Sequence, residues 1–338
     1  MKNIITLLLL IFSLSYANGI SGVTYFEYDD SFSLTRNYFT YKNDISDQLS
    51  FTFQTDVGKS TYTNWGIWCA HPTTGLEMSA DNIGSCESGG GLWWDPLLSY
   101  GDDARLEVYL KKAQLDWKIN NNTKITMGLI GLNMFNIQEK TWGNRFVYKS
   151  AMDHWSFSSS ADLGFGITHR LGPVSANLLI SNGEGFKNMN HDDKNKISLQ
   201  LLMGEKRLDD NDGYNIGLVY SSLKNWNDIE TTVTGFFGGW ASGNIVLGAE
   251  YNIEDGYLKN SLTSLYLNYQ VSDNLSSFVR MDNHNHDTDY VGGGTEVTMA
   301  GFIWTPAKGL DICPNIIMSQ ADEEEKNETC KLNFQFKF

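Results

Sequence analysis

The chain has 338 residues and a formal charge of -15, with 41% hydrophobic and only 19% charged residues. An acidic balance of this size argues against nucleic acid as a partner, because phosphate binding needs clustered Lys and Arg. Gly 32 against Pro 5, with 13% aromatics, suits extended ladders, which proline interrupts.

The first segment, residues 1–17, has one positive charge at Lys2, an apolar run from Ile4 to Phe12, and small residues at Ser15 and Ala17. This is the three-part layout of a cleaved export signal, so the mature chain is expected over 18–338. No later run approaches the roughly 18 apolar residues that a membrane helix needs. A transmembrane β-barrel escapes that test, since each strand shows lipid only every second residue.

Read for a period of two, the mature chain breaks into about sixteen strand-like segments near the length a tilted spanning strand requires. In Leu49-Ser50-Phe51-Thr52-Phe53-Gln54 the apolar set is odd, in Ile197-Ser198-Leu199-Gln200-Leu201 it is odd, and in Tyr214-Asn215-Ile216-Gly217-Leu218 it is even. Segments 244–253 and 264–271 alternate in the same way, which a helix would not sustain.

Connections alternate in character. Turn-type links fall at 43–46, 120–122, 171–173, Gly239 to Gly243, 272–274 and 305–309, all rich in Asn, Asp, Gly or Pro. The intervening links are mostly longer or more acidic, notably 59–104, 133–154, 184–193 and 285–294. Short turns at one end and long loops at the other are the outer-membrane barrel layout.

Cys69 and Cys86 share one turn-rich segment and are expected to pair there, as an exported chain allows. The loop 133–154, carrying Trp142, Arg145, Phe146 and Tyr148, is long enough to fold inward and narrow a pore; the Cys69 to Cys86 segment competes for that role. His284, His286, Asp287 and Asp289 form a run that could hold a divalent metal, or simply a solvated loop. Cys313 and Cys330 flank the acidic tip Asp322 to Glu325; their expected facing disagrees, so their pairing stays open. The last strand, Cys330 to Phe338, alternates without error, with Phe334, Phe336 and Phe338 on the expected lipid face.

The polar parity assigns to the lumen Arg36, Lys42, Lys111, Lys124, Arg170, Lys196, Arg280, Lys331 and Lys337, against Asp56, Glu107, Glu230, Glu250, Asp282 and Glu296. Charges lining a pore set its ion preference, and Arg36, Lys42, Lys111 and Arg280 are the foremost constriction candidates. The wall is balanced or mildly basic, which predicts weak anion preference or none. A bulge would move any of these by one position and exchange lumen for lipid.

The stretch from Arg36 to Gly58 resembles the early hairpin of Gram-negative porins related to the phosphate-selective porin O/P group, in which an Arg-x-Tyr strand leads through a short turn to a strand ending near Asp-Val-Gly. Segments 110–117, 139–146, 159–164 and 181–185 are similar to the same group. The resemblance implies a 16-stranded, trimeric diffusion pore; it carries no phosphate specificity, since no basic cluster matches a phosphate-binding ladder.

The sequence therefore predicts an all-β transmembrane antiparallel barrel in the bacterial outer membrane, passing small hydrophilic solutes or ions, with no covalent chemistry and no cofactor. Two alternatives fit the same pattern: an adhesive or glycan-binding β-protein, and a barrel hydrolase.

Overall fold

The alternating segments form strands in the computed structural model, which describes residues 19–59, 106–188, 192–224, 228–289, 293–322 and 324–338, with short stretches between 68 and 94. Early strands are β1 (Ile20–Asp29), β2 (Ser31–Asp44), β3 (Leu49–Lys59), β4 (Trp68–Ala70), β5 (Glu77–Met78), β6 (Leu92–Trp94), β7 (Leu106–Lys118) and β8 (Thr123–Gly131). Two short helices follow, α1 (Asn136–Trp142) and α2 (Ala151–His154). The rest is β9 (Ala161–Leu171), β10 (Val174–Ser181), β11 (Lys196–Gly204), β12 (Gly213–Lys224), β13 (Glu230–Ser242), β14 (Ile245–Asp255), β15 (Lys259–Ser272), β16 (Leu275–Asn285), β17 (Gly294–Ala307), β18 (Leu310–Ala321) and β19 (Asn327–Lys337).

Sixteen of these strands close into an antiparallel barrel in which β1 pairs with β19 and the order otherwise follows the chain, with β3 beside β7. Closure leaves no unpaired edge. Residues 57–108 form a second compact unit, within which β5, β4 and β6 make a small antiparallel sheet. The expected export signal, and nearly all of the Cys69 to Cys86 segment, lie outside the described residues.

Alternation sorts the side chains as period two requires. Outward parity exposes Phe165 and Ile167 on β9, Tyr214 and Ile216 on β12, Phe236 and Trp240 on β13, Leu265 and Tyr269 on β15, and Phe302 and Trp304 on β17. The inward parity carries Gln200, Asn215, Asn252, Ser264, Arg280, Asp282, Asn315, Asn333 and Gln335, all buried. Closure by the last strand matches expectation. Phe26 stacks on Phe334 at 4.5 Å on the outer face, while Tyr25 and Gln335 pair on the inner one.

Two features depart from the sequence reading, and one point that it left open is decided. The predicted turn at Gly239 to Gly243 narrows to Gly243 and Asn244, and β13 runs on to Ser242; Gly239 is a wall residue, explained below. In β7 the exposed apolar residues change parity between Leu110 and Trp117, a phase shift of the kind a bulge produces. Finally, Cys313 and Cys330 are free thiols. On β18 and β19, Cys313 pairs with Asn333 and Cys330 with Ile316, so one thiol is buried inside and the other lies on the outer face. Cys86 is disulfide-bonded; the side chain of Cys69 lies outside the described residues.

Candidate functional site: an inward loop docked on the barrel wall

Residues 132–160 join β8 to β9 and pack against inward-facing side chains of the barrel wall. Tertiary packing holds α1 and α2, since helices this short are unstable alone. Met134, Phe135, Ile137, Met152 and Phe157 pack on Leu202, Val219, Val233, Phe237 and Leu262 of the wall. Opposite, Phe146 and Val147 join Tyr25, Tyr38 and Cys313. The loop therefore touches both sides of the barrel interior.

A helix leaves the carbonyls at its end without internal partners, and three in the last turn of α1 find donors, those of Glu139, Lys140 and Trp142. Gly143 adopts the left-handed conformation and its N–H donates to Glu139 O. Asn268 Nδ2 donates to Trp142 O at 2.9 Å, while Asn144 Nδ2 donates to Asn268 Oδ1 at 2.8 Å. Asp209 N–H donates to Lys140 O at 3.1 Å.

Arg280 is the main anchor. Only 1% exposed, it forks onto Asp282 through Nε at 2.8 Å and Nη2 at 2.6 Å, and donates Nη1 to Lys149 O of the loop at 2.7 Å. Its guanidinium lies 5.0 Å from the Trp142 ring centre and 5.5 Å from that of Tyr148. Predicted as a constriction residue facing solute, Arg280 instead lies beneath the loop. Trp142 is likewise buried, edge-on to Tyr266 and Phe278, and its indole N–H donates to Tyr148 O. The Tyr148 hydroxyl meets His154 Nε2 at 2.7 Å. Burial first, and then Arg280, push the His154 imidazole down to about 4.

The charged cluster between loop and wall is built around Asp56 and Arg145. Asp56, fully buried, pairs with Arg36 at 2.9 Å and Lys111 at 3.6 Å. Lys111 also lies over the Tyr38 ring at 4.6 Å and the Phe186 ring at 5.1 Å. Arg145 reaches from the loop to Tyr38 Oη at 3.3 Å and pairs with Glu139 at 2.6 Å and with Asp153. Burial works against the charge of Arg145, but Tyr38, Glu139 and Asp153 outweigh it and hold the guanidinium above its ordinary value. Lys187, on the loop after β10, lies 4.3 Å from the Tyr109 ring centre; partial burial, and then Arg36, hold its ammonium below the ordinary value. Arg36, Lys149 and Lys111 all act to lower the Lys187 ammonium, and Asp56 acts against them.

The other predicted positions are more peripheral. Lys42 shares the inward face of β2 with Tyr38 but sits exposed by the short turn, its N–H donating to Gly19 O. Lys124 pairs with Asp116 at 2.8 Å, and Glu107 is half-buried in β7. Glu230 and Glu296, assigned inward from sequence, fall on the outer parity of β13 and β17, because Val233 and Val297 occupy the inward one. In the His284 to Asp289 run, His284 stacks on Trp155 at 4.2 Å and Asp289 pairs with Lys259 at 3.3 Å, so these side chains do not converge. Sequence reasoning missed Asn215, Asn268, Lys149, Phe186 and Lys187. The paired glycines Gly238 and Gly239 inside a strand pattern were the available signal, since such residues mark close backbone approach.

No protein-family model matches the chain, and no curated protein matches its sequence. Solved structures do share its fold. Salmonella typhi OmpF, in a complex with daunomycin, superposes with a TM-score of 0.62 at 11% identity, covering 95% of this chain and 97% of that one. An anion-selective porin from Comamonas acidovorans gives 0.58 at 8% identity, with 95% and 99% covered. The trimer form of OmpT, an outer membrane protein of Vibrio cholerae, gives 0.54 at 10% identity, with 95% and 98% covered. At these identities the likeness establishes a porin-like sixteen-stranded barrel.

Proposed function

We propose that this chain is an outer-membrane pore that passes small hydrophilic solutes or ions by diffusion, with a mild preference for anions. The observation that carries the reading is a charged loop docked inside a closed barrel whose outer surface is an apolar, aromatic-rich belt. Such a belt suits a lipid bilayer, and the loop leaves charged side chains where they would act on a passing ion.

The preference follows from five cations, Arg36, Lys111, Arg145, Lys149 and Lys187, set against three carboxylates, Asp56, Glu139 and Asp153, in the same cluster. Residues 1–17 serve as the export signal, and the pore assembles as a homo-oligomer, a reading supported by the trimer form of the Vibrio cholerae protein. The resemblance to the phosphate-selective group is one of ancestry in this proposal, without its solute.

Conductance in a planar bilayer under a KCl gradient tests both parts. Stepwise openings are expected, with a reversal potential on the anion side that moves toward cations in Lys111→Gln. A folded, inserted protein that never conducts would sink the pore reading. Strong cation preference in the unsubstituted chain would place the governing field in the acidic loops instead.

A further inference from the structure

The connection between β11 and β12 is unlike others at its end of the barrel. The links after β9 and β13 span two residues, whereas this one runs from 205 to 212. Its length is used inside the barrel. Leu208 is 2% exposed although it sits on a turn, and a leucine is buried only against an apolar surface. That surface is the junction of wall and loop: a Cβ on Gly239 would lie 2.7 Å from Thr141 Cγ2 of α1 and 2.8 Å from Leu208 Cδ1. Any side chain there would drive the turn, α1 and β13 apart.

Polar contacts tie the same three elements. Asn215 Nδ2 lies 3.1 Å from both Thr141 Oγ1 and the carbonyl of Glu205, bridging α1 and the turn. Asp209 N–H supplies the partner of Lys140 O at the end of α1.

The turn is also stiffened from behind. Glu205 Oε1 accepts the backbone N–H groups of Lys206 and Arg207 at 2.8 and 2.9 Å, and Arg207 pairs with Asp209 at 3.1 Å. From the adjacent β13–β14 turn, Gly243 N–H donates to the Asp212 carboxylate at 3.1 Å. A segment held by its own hydrogen bonds presents its contacts with little ordering cost.

We propose that residues 205–212 form a latch that enters the lumen from the end opposite the 132–160 loop and fixes α1 in place, so that two elements from opposite ends together set the aperture. Leu208 and Asp209 are positioning residues in this device; they act on the solute path only through α1. The inference rests on the pore reading, but its physical content, the immobilisation of α1, is measurable without conduction.

The test uses the full chain carrying Leu208→Ala or Gly239→Ala, with folding checked by the mobility of unheated protein in detergent gels. Two readouts are taken: single-channel traces, and the rate of tryptic cleavage after Lys140 in the folded barrel. The unsubstituted chain is expected to hold one open level and resist cleavage. Each variant is expected to add larger, fluctuating levels and to be cleaved at least tenfold faster. Folded variants with unaltered traces and unaltered cleavage would overturn the latch. If the unsubstituted chain itself never conducts, the pore reading fails, and cleavage alone still decides whether the latch exists. Should both variants misfold, Asn215→Ala, which adds no bulk and removes the amide that bridges Thr141 Oγ1 and the Glu205 carbonyl, is read in the same two ways. Faster cleavage after Lys140 in that folded variant is expected, and unaltered traces with unaltered cleavage would count against the latch.

Discussion

Arg280→Met should release the inward loop while leaving the barrel closed. The substitution removes the partner of Asp282, whose side chain is fully buried, and breaking a buried pair from one side costs about 3–5 kcal/mol. It also removes the donor to Lys149 O and the cation over the Trp142 and Tyr148 rings. The cost falls on the docked state, because an undocked loop lets water reach Asp282. At tenfold per ~1.4 kcal/mol, a loss of about 3 kcal/mol raises the undocked population roughly 100-fold. Where opening and reclosing outpace cleavage, proteolysis follows that population. Trypsin should therefore cut after Lys140, Arg145 and Lys149 roughly 100-fold faster in folded protein. Arg280→Met combined with Asp282→Leu should recover part of the loss, since an apolar replacement of both partners leaves no unpaired charge. Unchanged cleavage in the single variant, with the barrel intact, would refute Arg280 as the anchor.

Docking should also weaken in acid through His154. Its docked value near 4 lies below the ordinary 6.5, so the released loop takes up a proton that the docked loop refuses. The contribution is complete above 6.5 and falls away as pH drops from 6.5 toward 4. Loop excursions in single-channel traces should multiply across that window and stay flat in His154→Gln; equal pH dependence in both proteins would exclude His154 as the cause. Thiol counting checks the cysteine assignment: unreduced, denatured protein should react at Cys313 and Cys330, and all four cysteines should react after reduction. Failure of Cys313 and Cys330 to react before reduction would contradict their assignment as free thiols.

Much of the wall was legible because its rule is local. A strand alternates with a period of two, so Phe334 and Phe336 can be assigned outward, and Asn333 and Gln335 inward, from their spacing alone. The rule fails where the backbone slips. Glu230 and Glu296 lie near strand ends, where counting parity from sequence had no fixed origin, and both were placed on the wrong face.

The docked loop obeys no period. Trp142, Arg145 and Tyr148 were singled out because they sit on a long connection, but nothing nearby in sequence shows that Arg280 would receive them. Nor does spacing show that Tyr38 would lie beside Arg145, 107 residues away. Gly239 illustrates the division most sharply. By sequence it is a turn glycine; in the barrel it is the gap through which α1 and Leu208 approach the wall. Ladder geometry repeats every second residue, so the barrel, its faces and the position of its long loops are legible in the chain alone. Which charges the loop covers follows instead from burial and ion pairing between residues far apart in the chain.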